Sequence, residues 1–319
     1  MRESASPSTT MKAVVCTAYG PPEVLRLADV DRPRPRPHEV RIRVEATCVT
    51  ASDCLVRALK FRSGFRLLAR LILGFNAPRR GILGTVLAGE VESVGRDVRA
   101  FQPGERVFGL SRWAFGAYAE YVCWSATGLL ARRPANLSAE ACAAIPYGGL
   151  LALYFLRRAG VQAGQRVLIY GASGAIGTSA VQLARHFGAR VTGVCSGANR
   201  ALVESLGAET VLDYTREDFT AGGPIYDVIL DAVGKRKSLP AFSRAARALT
   251  PTGRAFSVDD RSPSLHASDL DYLRGLAEAG ALKPVVDRTY ALDQMVEAHR
   301  YVDQGHKRGN VVVTMSTAR

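Results

Sequence analysis

Over roughly the first 125 residues, apolar and polar positions alternate in short runs. Met11 to Cys16 (MKAVVC) reads as a strand, followed by a turn at Tyr19-Gly20-Pro21-Pro22. Pro33, Pro35 and Pro37 punctuate an extended connector. Val40 to Ala46 (VRIRVEA) and Leu87 to Gly95 (LAGEVESVG) alternate as half-buried strands do. Gly104 to Gly109 holds a turn and a strand, and Tyr118 to Val122 a further strand. Many short strands bounded by Gly and Pro predict an antiparallel, barrel-like β domain.

The period changes near Asn136. Ser138-Ala139-Glu140-Ala141 reads as a helix start with Ser138 as N-cap, and a small-residue helix follows Tyr147-Gly148-Gly149 as far as Gly160. From Val167 onward strands and helices alternate. Strands are expected at Val167 to Tyr170, Arg190 to Cys195, Thr210 to Tyr214, Asp227 to Val233 and Arg254 to Val258, with helices at Ala198 to Leu206 and around Arg244 to Leu249. This order predicts a doubly wound, mostly parallel sheet, making the chain α/β. The tail is read as helical at Leu270 to Ala279, at Tyr290 and at Met295 to Val302, before a last strand at Val311 to Met315.

Within that alternation one stretch carries chemistry. Gly171-Ala172-Ser173-Gly174-Ala175-Ile176-Gly177 follows the apolar run Arg166 to Tyr170 and precedes a helix closed by Gly188. A glycine-rich turn between strand and helix lets the backbone approach a pyrophosphate and aims helix N-terminal amides at it. Ser173, Gly174, Ala175, Ile176 and Gly177 are therefore candidate dinucleotide-binding residues; an ordinary βα turn is the plainer reading. NAD sites place an Asp or Glu about 20 residues past the turn, on the ribose 2′-hydroxyl. Here that place reads Val194-Cys195-Ser196-Gly197-Ala198-Asn199-Arg200, without an acid. Ser196 and Asn199 can bind a phosphate and Arg200 can pair with it, unless Arg200 is simply solvated. The missing acid favours NADPH over NADH.

Bulk properties narrow the class. The chain has 319 residues, 47% of them hydrophobic. No apolar stretch reaches the roughly 18 residues of a membrane span, so none is expected. Residues 1–10 read as a polar leader without a secretory signal. Six scattered cysteines (16, 48, 54, 123, 142 and 195), none in a Cys-x-x-Cys pair, predict reduced thiols and a cytoplasmic location. The net charge of +13 is read as a solvated basic surface, with no nucleic-acid partner expected. One segment is denser. Residues 57–83 contain Arg57, Lys60, Arg62, Arg66, Arg70, Arg79 and Arg80, no acid, and an interleaved series of Phe61, Phe65, Leu68, Leu71, Ile72 and Phe75. The segment either touches a membrane or a carrier protein, or packs its apolar stripe on its own domain; the second reading is preferred.

In order along the chain, Tyr19-Gly20-Pro21-Pro22-Glu23-Val24-Leu25, Leu87-Ala88-Gly89-Glu90-Val91 with Val94-Gly95, Phe115 to Tyr121, the glycine turn, Leu230-Asp231-Ala232-Val233-Gly234 and Gly305 to Val312 together resemble the medium-chain dehydrogenase/reductase superfamily. The resemblance is to its zinc-free quinone oxidoreductase branch and covers nearly the whole chain. It implies a GroES-like catalytic domain (11–128 and 265–319) around a Rossmann domain (129–264), with the active site in the cleft between them. It places Tyr214 near the adenine, Ala232, Val233 and Gly234 along the cofactor, and Lys307, Gly309 and Asn310 reaching it from the C-terminal segment.

The zinc-dependent relatives carry a cysteine where this chain has Thr50, before Ala51-Ser52-Asp53, and a histidine in the run that here reads Gly84-Thr85-Val86. Threonine and valine cannot replace soft or imidazole ligands, so no metal is expected. Without a Lewis acid, hydride delivery to an already electrophilic acceptor is favoured. The chain also departs from its own branch. The tyrosine expected shortly after Asp53 is absent, as is the threonine after the Pro146-Tyr147-Gly148-Gly149 turn. Val86 stands where an acid is usual, which makes the cleft more apolar. Only residues 259–268 separate the fifth strand from the tail helix, so a strand that often pairs across a dimer is missing and the oligomeric state is left open. Tyr147, Thr50 and Tyr19 remain as polar candidates for the catalytic cleft, while Asp53 and Arg57 are expected to pair with one another. The reading is an NADPH-dependent, zinc-free reductase of a small quinone or α,β-unsaturated carbonyl. Its alternatives are an enoyl-thioester reductase acting on an acyl carrier and an NADPH-binding protein with little catalysis.

Overall fold

Alternation of apolar and polar residues builds most of the N-terminal strands in the computed structural model, which describes residues 9–315 except 62, 224 and 261. Residues 1–8 of the expected leader lie outside the described residues, and Thr10 already opens a strand. Strands β1 (Thr10–Cys16) and β2 (Leu25–Asp31) pair as an antiparallel hairpin. After β3 (Glu39–Val49) come two helices, α1 (Ala51–Arg57) and α2 (Ser63–Leu73). Then follow β4 (Val86–Val94), β5 (Arg106–Leu110), β6 (Tyr121–Ser125) and β7 (Leu129–Arg132). The expected strand at Tyr118 thus begins three residues later, because the Tyr118 amide and carbonyl are bonded to Leu83 and Val14 and not to β3.

Next come α3 (Ala139–Ala143), capped by Ser138 as its sequence implies, and α4 (Pro146–Ala159). Proline at the first position of α4 and Gly160 in a left-handed conformation at its end mark both boundaries. The alternating half runs β8 (Arg166–Tyr170), α5 (Ala175–His186), β9 (Arg190–Cys195), α6 (Arg200–Ser205), β10 (Thr210–Asp213), β11 (Tyr226–Asp231), α7 (Lys235–Phe242) and β12 (Leu249–Ser257). The helix expected at Arg244 to Leu249 is only a short 3₁₀ turn over Ala245–Ala248. The tail holds α8 (Ala267–Glu278), β13 (Val286–Ala291), α9 (Met295–Asp303) and β14 (Asn310–Thr314). Tyr290 lies in a strand, not a helix: β13 runs parallel to β14 and is held by that ladder.

Two main sheets result. One is five-stranded and wholly parallel, in the order β10-β9-β8-β11-β12. The other has seven strands, β13-β14-β3-β4-β5-β7 with β6 also on β3. Its last members come from the far end of the chain, β14 pairing antiparallel with β3 through Val311 and Val49. No strand is found among the described residues between β12 and α8, so the parallel sheet ends at β12.

A continuous core links the two sheets, running from Ala46, Val86 and Phe108 through Leu150, Leu153 and Phe155 of α4 to Val167, Ile169 and Leu273. Two glycines let α4 sit there. A Cβ on Gly148 would lie 2.1 Å from the Ala175 carbonyl oxygen, and one on Gly149 would lie 2.9 Å from Leu273. The run Ala139–Ala159 is 21 residues long and apolar enough, by composition, to cross a membrane, although the sequence reading expects no such run. It is 67% buried in this core, as a central helix of a folded domain would be.

Candidate functional site

The parallel sheet reverses its order between β8 and β11, and ligands of such sheets bind at the carboxyl ends of strands flanking that point. The glycine turn leaves β8 there. Gly171 has φ +79°, and a Cβ on it would lie 2.2 Å from Val233. Gly177 packs the first turn of α5 onto the strand end, where a Cβ would meet the Gly171 carbonyl oxygen at 2.1 Å. Gly174 differs: its added Cβ would find only the Gly171 carbonyl oxygen, at 3.5 Å, so the space above it is open. Gly174 caps α5 without a side-chain hydrogen bond. The amides of Ala175, Ile176 and Gly177 therefore begin a helix with no competing cap, at its positive dipole end. The residues present fit a dinucleotide pyrophosphate.

Other expected cofactor residues converge on this turn. Asn199 Nδ2 donates to Ser173 Oγ (3.1 Å) and Ser196 Oγ (3.3 Å), joining the glycine turn to the end of β9. Tyr214 exposes its ring beside them, its amide bound to the Cys195 carbonyl (3.1 Å). The Gly309 amide donates to the Ser173 carbonyl (2.8 Å), and Gly309 forms a parallel bridge with Gly174. Lys307 Nζ donates to the Gly309 carbonyl. Asn310 is spent on structure, since its side chain and amide both donate to the Val285 carbonyl (3.2 and 2.9 Å).

Asp231 shapes the Ala232-Val233-Gly234 wall. This fully buried carboxylate accepts from the Val233 and Gly234 amides (3.0 and 3.2 Å) and from Ser238 and Ser257 hydroxyls (2.6 and 2.8 Å). It stands in the quoted Leu230–Gly234 motif, but its role needs Ser238 and Ser257, which only the fold brings to it.

Two acids near the adenosine end escape the sequence reading. Asp213, closing β10, places its carboxylate 2.6 Å from where a Gly197 Cβ would be. It is held there by the Thr215 amide (3.0 Å) and hydroxyl (2.8 Å), bonds that keep it below the usual carboxylate range. Glu217 pairs with Arg200 (3.3 Å), which also lies 3.8 Å from Glu204. Arg200 is thus held in an ion-pair network at the β9 end and is not merely solvated. One closes β10 and the other follows it, beyond the stretch in which the family pattern looks for an acid.

Tyr147 Oη and Ser52 Oγ lie 3.0 Å apart. Burial, the main cause, raises the Tyr147 pKa, with nearby Asp53 and Asp259 acting in the same direction. Tyr147 sits in the first turn of α4, whose next residue touches Ala175. The tyrosine–serine pair thus lies close to the start of α5, and Asp259, which acts on Tyr147, also lies against Gly234. Ser52 stands in the run compared with the zinc-dependent relatives, but its partner Tyr147 is 95 residues away in the sequence.

The other two catalytic candidates serve the fold. Thr50 is the N-cap of α1: its hydroxyl donates to Asp53 Oδ2 (2.6 Å) and accepts from the Asp53 amide (3.2 Å). Tyr19 donates to the Gly74 carbonyl (2.9 Å) and so pins the segment after α2. Val86 is wholly buried in the core and does not line the cleft. Asp53 and Arg57 do not pair with each other. The capping box takes Asp53, while Arg57 reaches Asp303 (2.6 Å) and donates to His299 Nδ1 (3.2 Å). Two surface concavities, of about 640 and 360 Å³, lie away from all these residues, around Arg43 and Glu120 and around Arg190 and Glu209.

Asp53 has a pH consequence. Burial, partly offset by Thr50, raises its pKa from 3.8 to about 6. Because the folded value is the higher one, its contribution to stability is complete below the unfolded value and is lost as pH rises through about 6. Asp53→Asn keeps a capping oxygen and removes the charge. Its melting temperature relative to the parent should therefore be higher at about pH 8 than at about pH 4, and an equal difference at both would refute the assignment.

Known proteins match this architecture. A family model described as zinc-binding dehydrogenase matches residues 206–313, and one described as alcohol dehydrogenase GroES-like domain matches residues 36–135. A 2-methylene-furan-3-one reductase of Solanum lycopersicum is 31% identical over 97% of this chain and 80% of its own. A chloroplastic NADPH-dependent alkenal/one oxidoreductase of Arabidopsis thaliana is 30% identical over 97% and 81%. Among solved structures, the quinone oxidoreductase from Coxiella burnetii superposes with a TM-score of 0.82 at 29% identity, covering 96% of this chain and 100% of that one. The chain belongs to the medium-chain dehydrogenase/reductase superfamily, in its quinone oxidoreductase-like branch. It is an oxidoreductase.

Proposed function

We propose that this protein uses NADPH, without zinc, to reduce an α,β-unsaturated carbonyl or a quinone. The observation that carries the proposal is the uncapped α5 terminus at the point where the strand order reverses, with the Tyr147–Ser52 pair close by. A reduced nicotinamide bound there supplies a hydride. The chain's own part is to hold the pyrophosphate at Gly174–Gly177, to orient the acceptor and to provide a proton. With its pKa raised, Tyr147 stays protonated at neutral pH and can give its proton to the basic enolate left by hydride addition. Ser52 is positioned to hold that hydroxyl.

Zinc does not fit the residues present. The Thr50 oxygen is engaged in capping α1, and Val86 offers no donor and no exposed surface. The NADPH preference rests on Ser196 and Asn199, which meet at the β9 end, and on Arg200 beside them. A 2′-phosphate would draw Arg200 from Glu217. Five buried, free cysteines and one half-buried suit a reducing, cytoplasmic setting.

The test is NADPH oxidation against a quinone, an enone and an enoyl thioester, before and after chelator treatment. Turnover with the first two, undiminished by the chelator, is expected. NADPH binding without turnover on any of the three would sink the proposal. Arg200→Ala should raise the Kd for NADPH about tenfold and leave NADH within about twofold. Equal losses for both would show that Arg200 does not read the 2′-phosphate.

A further inference from the structure

The preferred reading of the basic segment, an apolar stripe packed on its own domain, holds for Phe61 but not for Leu68, Leu71, Ile72 and Phe75. Among the described side chains of α2 only Ala69 is buried, with Leu73 half-buried against the neighbouring cluster. Leu68, Leu71 and Ile72 are spaced i, i+3 and i+4, as one helical face requires, and are 48%, 48% and 54% exposed; Phe75, just past the end of α2, is 53% exposed. Leu67 beside them is 66% exposed. A further large apolar side chain is exposed on a loop bound to this segment. Trp113 is 64% exposed on a loop tied to the same segment, where Arg80 Nη1 donates to the Ala114 carbonyl. The segment is also anchored. Tyr19 holds the Gly74 carbonyl, the Cys16 amide donates to Gly81, and the Arg79 amide donates to Leu73. The apolar face is held outward by these bonds.

We infer that this face docks on an anionic lipid bilayer, with Leu68, Leu71, Ile72, Phe75 and Trp113 entering the interface. The inference does not rest on the proposed reaction. Charge argues for the occupant. Arg66, Arg70 and Arg79 are exposed, no ion pair engages them among the described residues, and residues 57–83 contain no acid. Arginines flanking an aliphatic face, with a tryptophan at the margin, suit lipid headgroups above acyl chains. A second copy fits poorly, because a two-fold contact sets the patch against itself and brings arginines together without a carboxylate to receive them. An acidic protein would satisfy the arginines but leave the large aliphatic face unaccounted for.

The experiment is flotation of the full chain with phosphatidylcholine vesicles and with phosphatidylcholine/phosphatidylglycerol vesicles, at low and high salt. Binding to the anionic vesicles should be stronger by at least about tenfold and weaken with salt. Trp113 emission should shift to the blue, while Trp124, buried and bonded through Nε1 to the Phe115 carbonyl (2.8 Å), gives a constant background. The triple variant Leu68→Gln/Leu71→Gln/Ile72→Gln keeps helix-compatible residues and should lose vesicle binding with an unchanged melting temperature. Arg66→Gln/Arg70→Gln should lose only the preference for anionic vesicles. The inference fails if no vesicle retains the parent protein, or if the triple variant binds as the parent does. It also fails if, without vesicle binding, the parent alone is dimeric by light scattering or is retained by an acidic acyl carrier protein.

Discussion

Gly174→Asp should leave a folded protein that no longer binds the nicotinamide cofactor. Three glycines share the turn, and only this one has room for a side chain. Its φ of −82° is open to any residue, and an added Cβ keeps 3.5 Å from the nearest atom outside its immediate neighbours. The same change at Gly171 or Gly177 would drive a Cβ to 2.2 or 2.1 Å from its neighbours and confound folding with binding. At Gly174 the new carboxylate would sit where the pyrophosphate charge must come. Repulsion on the order of 3 kcal/mol corresponds to about a hundredfold rise in Kd. Calorimetric titration with NADPH, beside a melting curve of the free protein, reads both quantities. A folded variant that binds within about threefold of the parent would move the cofactor away from this turn.

The second large effect belongs to Tyr147. Tyr147→Phe removes the hydroxyl but keeps the ring that packs against the core. If that hydroxyl delivers the proton, kcat for an enone should fall about a hundredfold, with KM and the NADPH Kd little changed. Ser52→Ala should cost less, because Ser52 only holds the hydroxyl in place. A kcat for Tyr147→Phe within about threefold of the parent would mean that water or the cofactor ribose delivers the proton instead.

Features written in contiguous residues were legible in the sequence. The glycine turn, the helix cap at Ser138 and the five parallel strands each depend on a few neighbouring positions. What escaped depends on residues far apart. Ser52 gains meaning only when Tyr147 arrives from α4, and Asp213 only when β10 is laid beside β9. Tyr290 was read as helical because the ladder that makes it a strand comes from β14. The α2 stripe was visible as a stripe, but periodicity says which residues share a face and not what that face meets. Arg57 was assigned to Asp53 by i, i+4 spacing, yet its buried guanidinium reaches Asp303, 246 residues away.

The pairing of β14 with β3, and the bridge from Gly309 to Gly174, also set an order of events during synthesis. All five parallel strands lie between Arg166 and Ser257 and can assemble while the chain is still being made. The mixed sheet must wait: β3 gains its β14 neighbour, and the glycine turn its clamp, only when residues 309–314 have left the ribosome. A nascent or C-terminally clipped chain would thus carry a nearly complete Rossmann sheet beside an open β domain, lacking the Gly309 clamp on its cofactor turn. Such a chain could draw little stabilisation from the nicotinamide, so cofactor supply would protect finished molecules from proteolysis far better than unfinished ones.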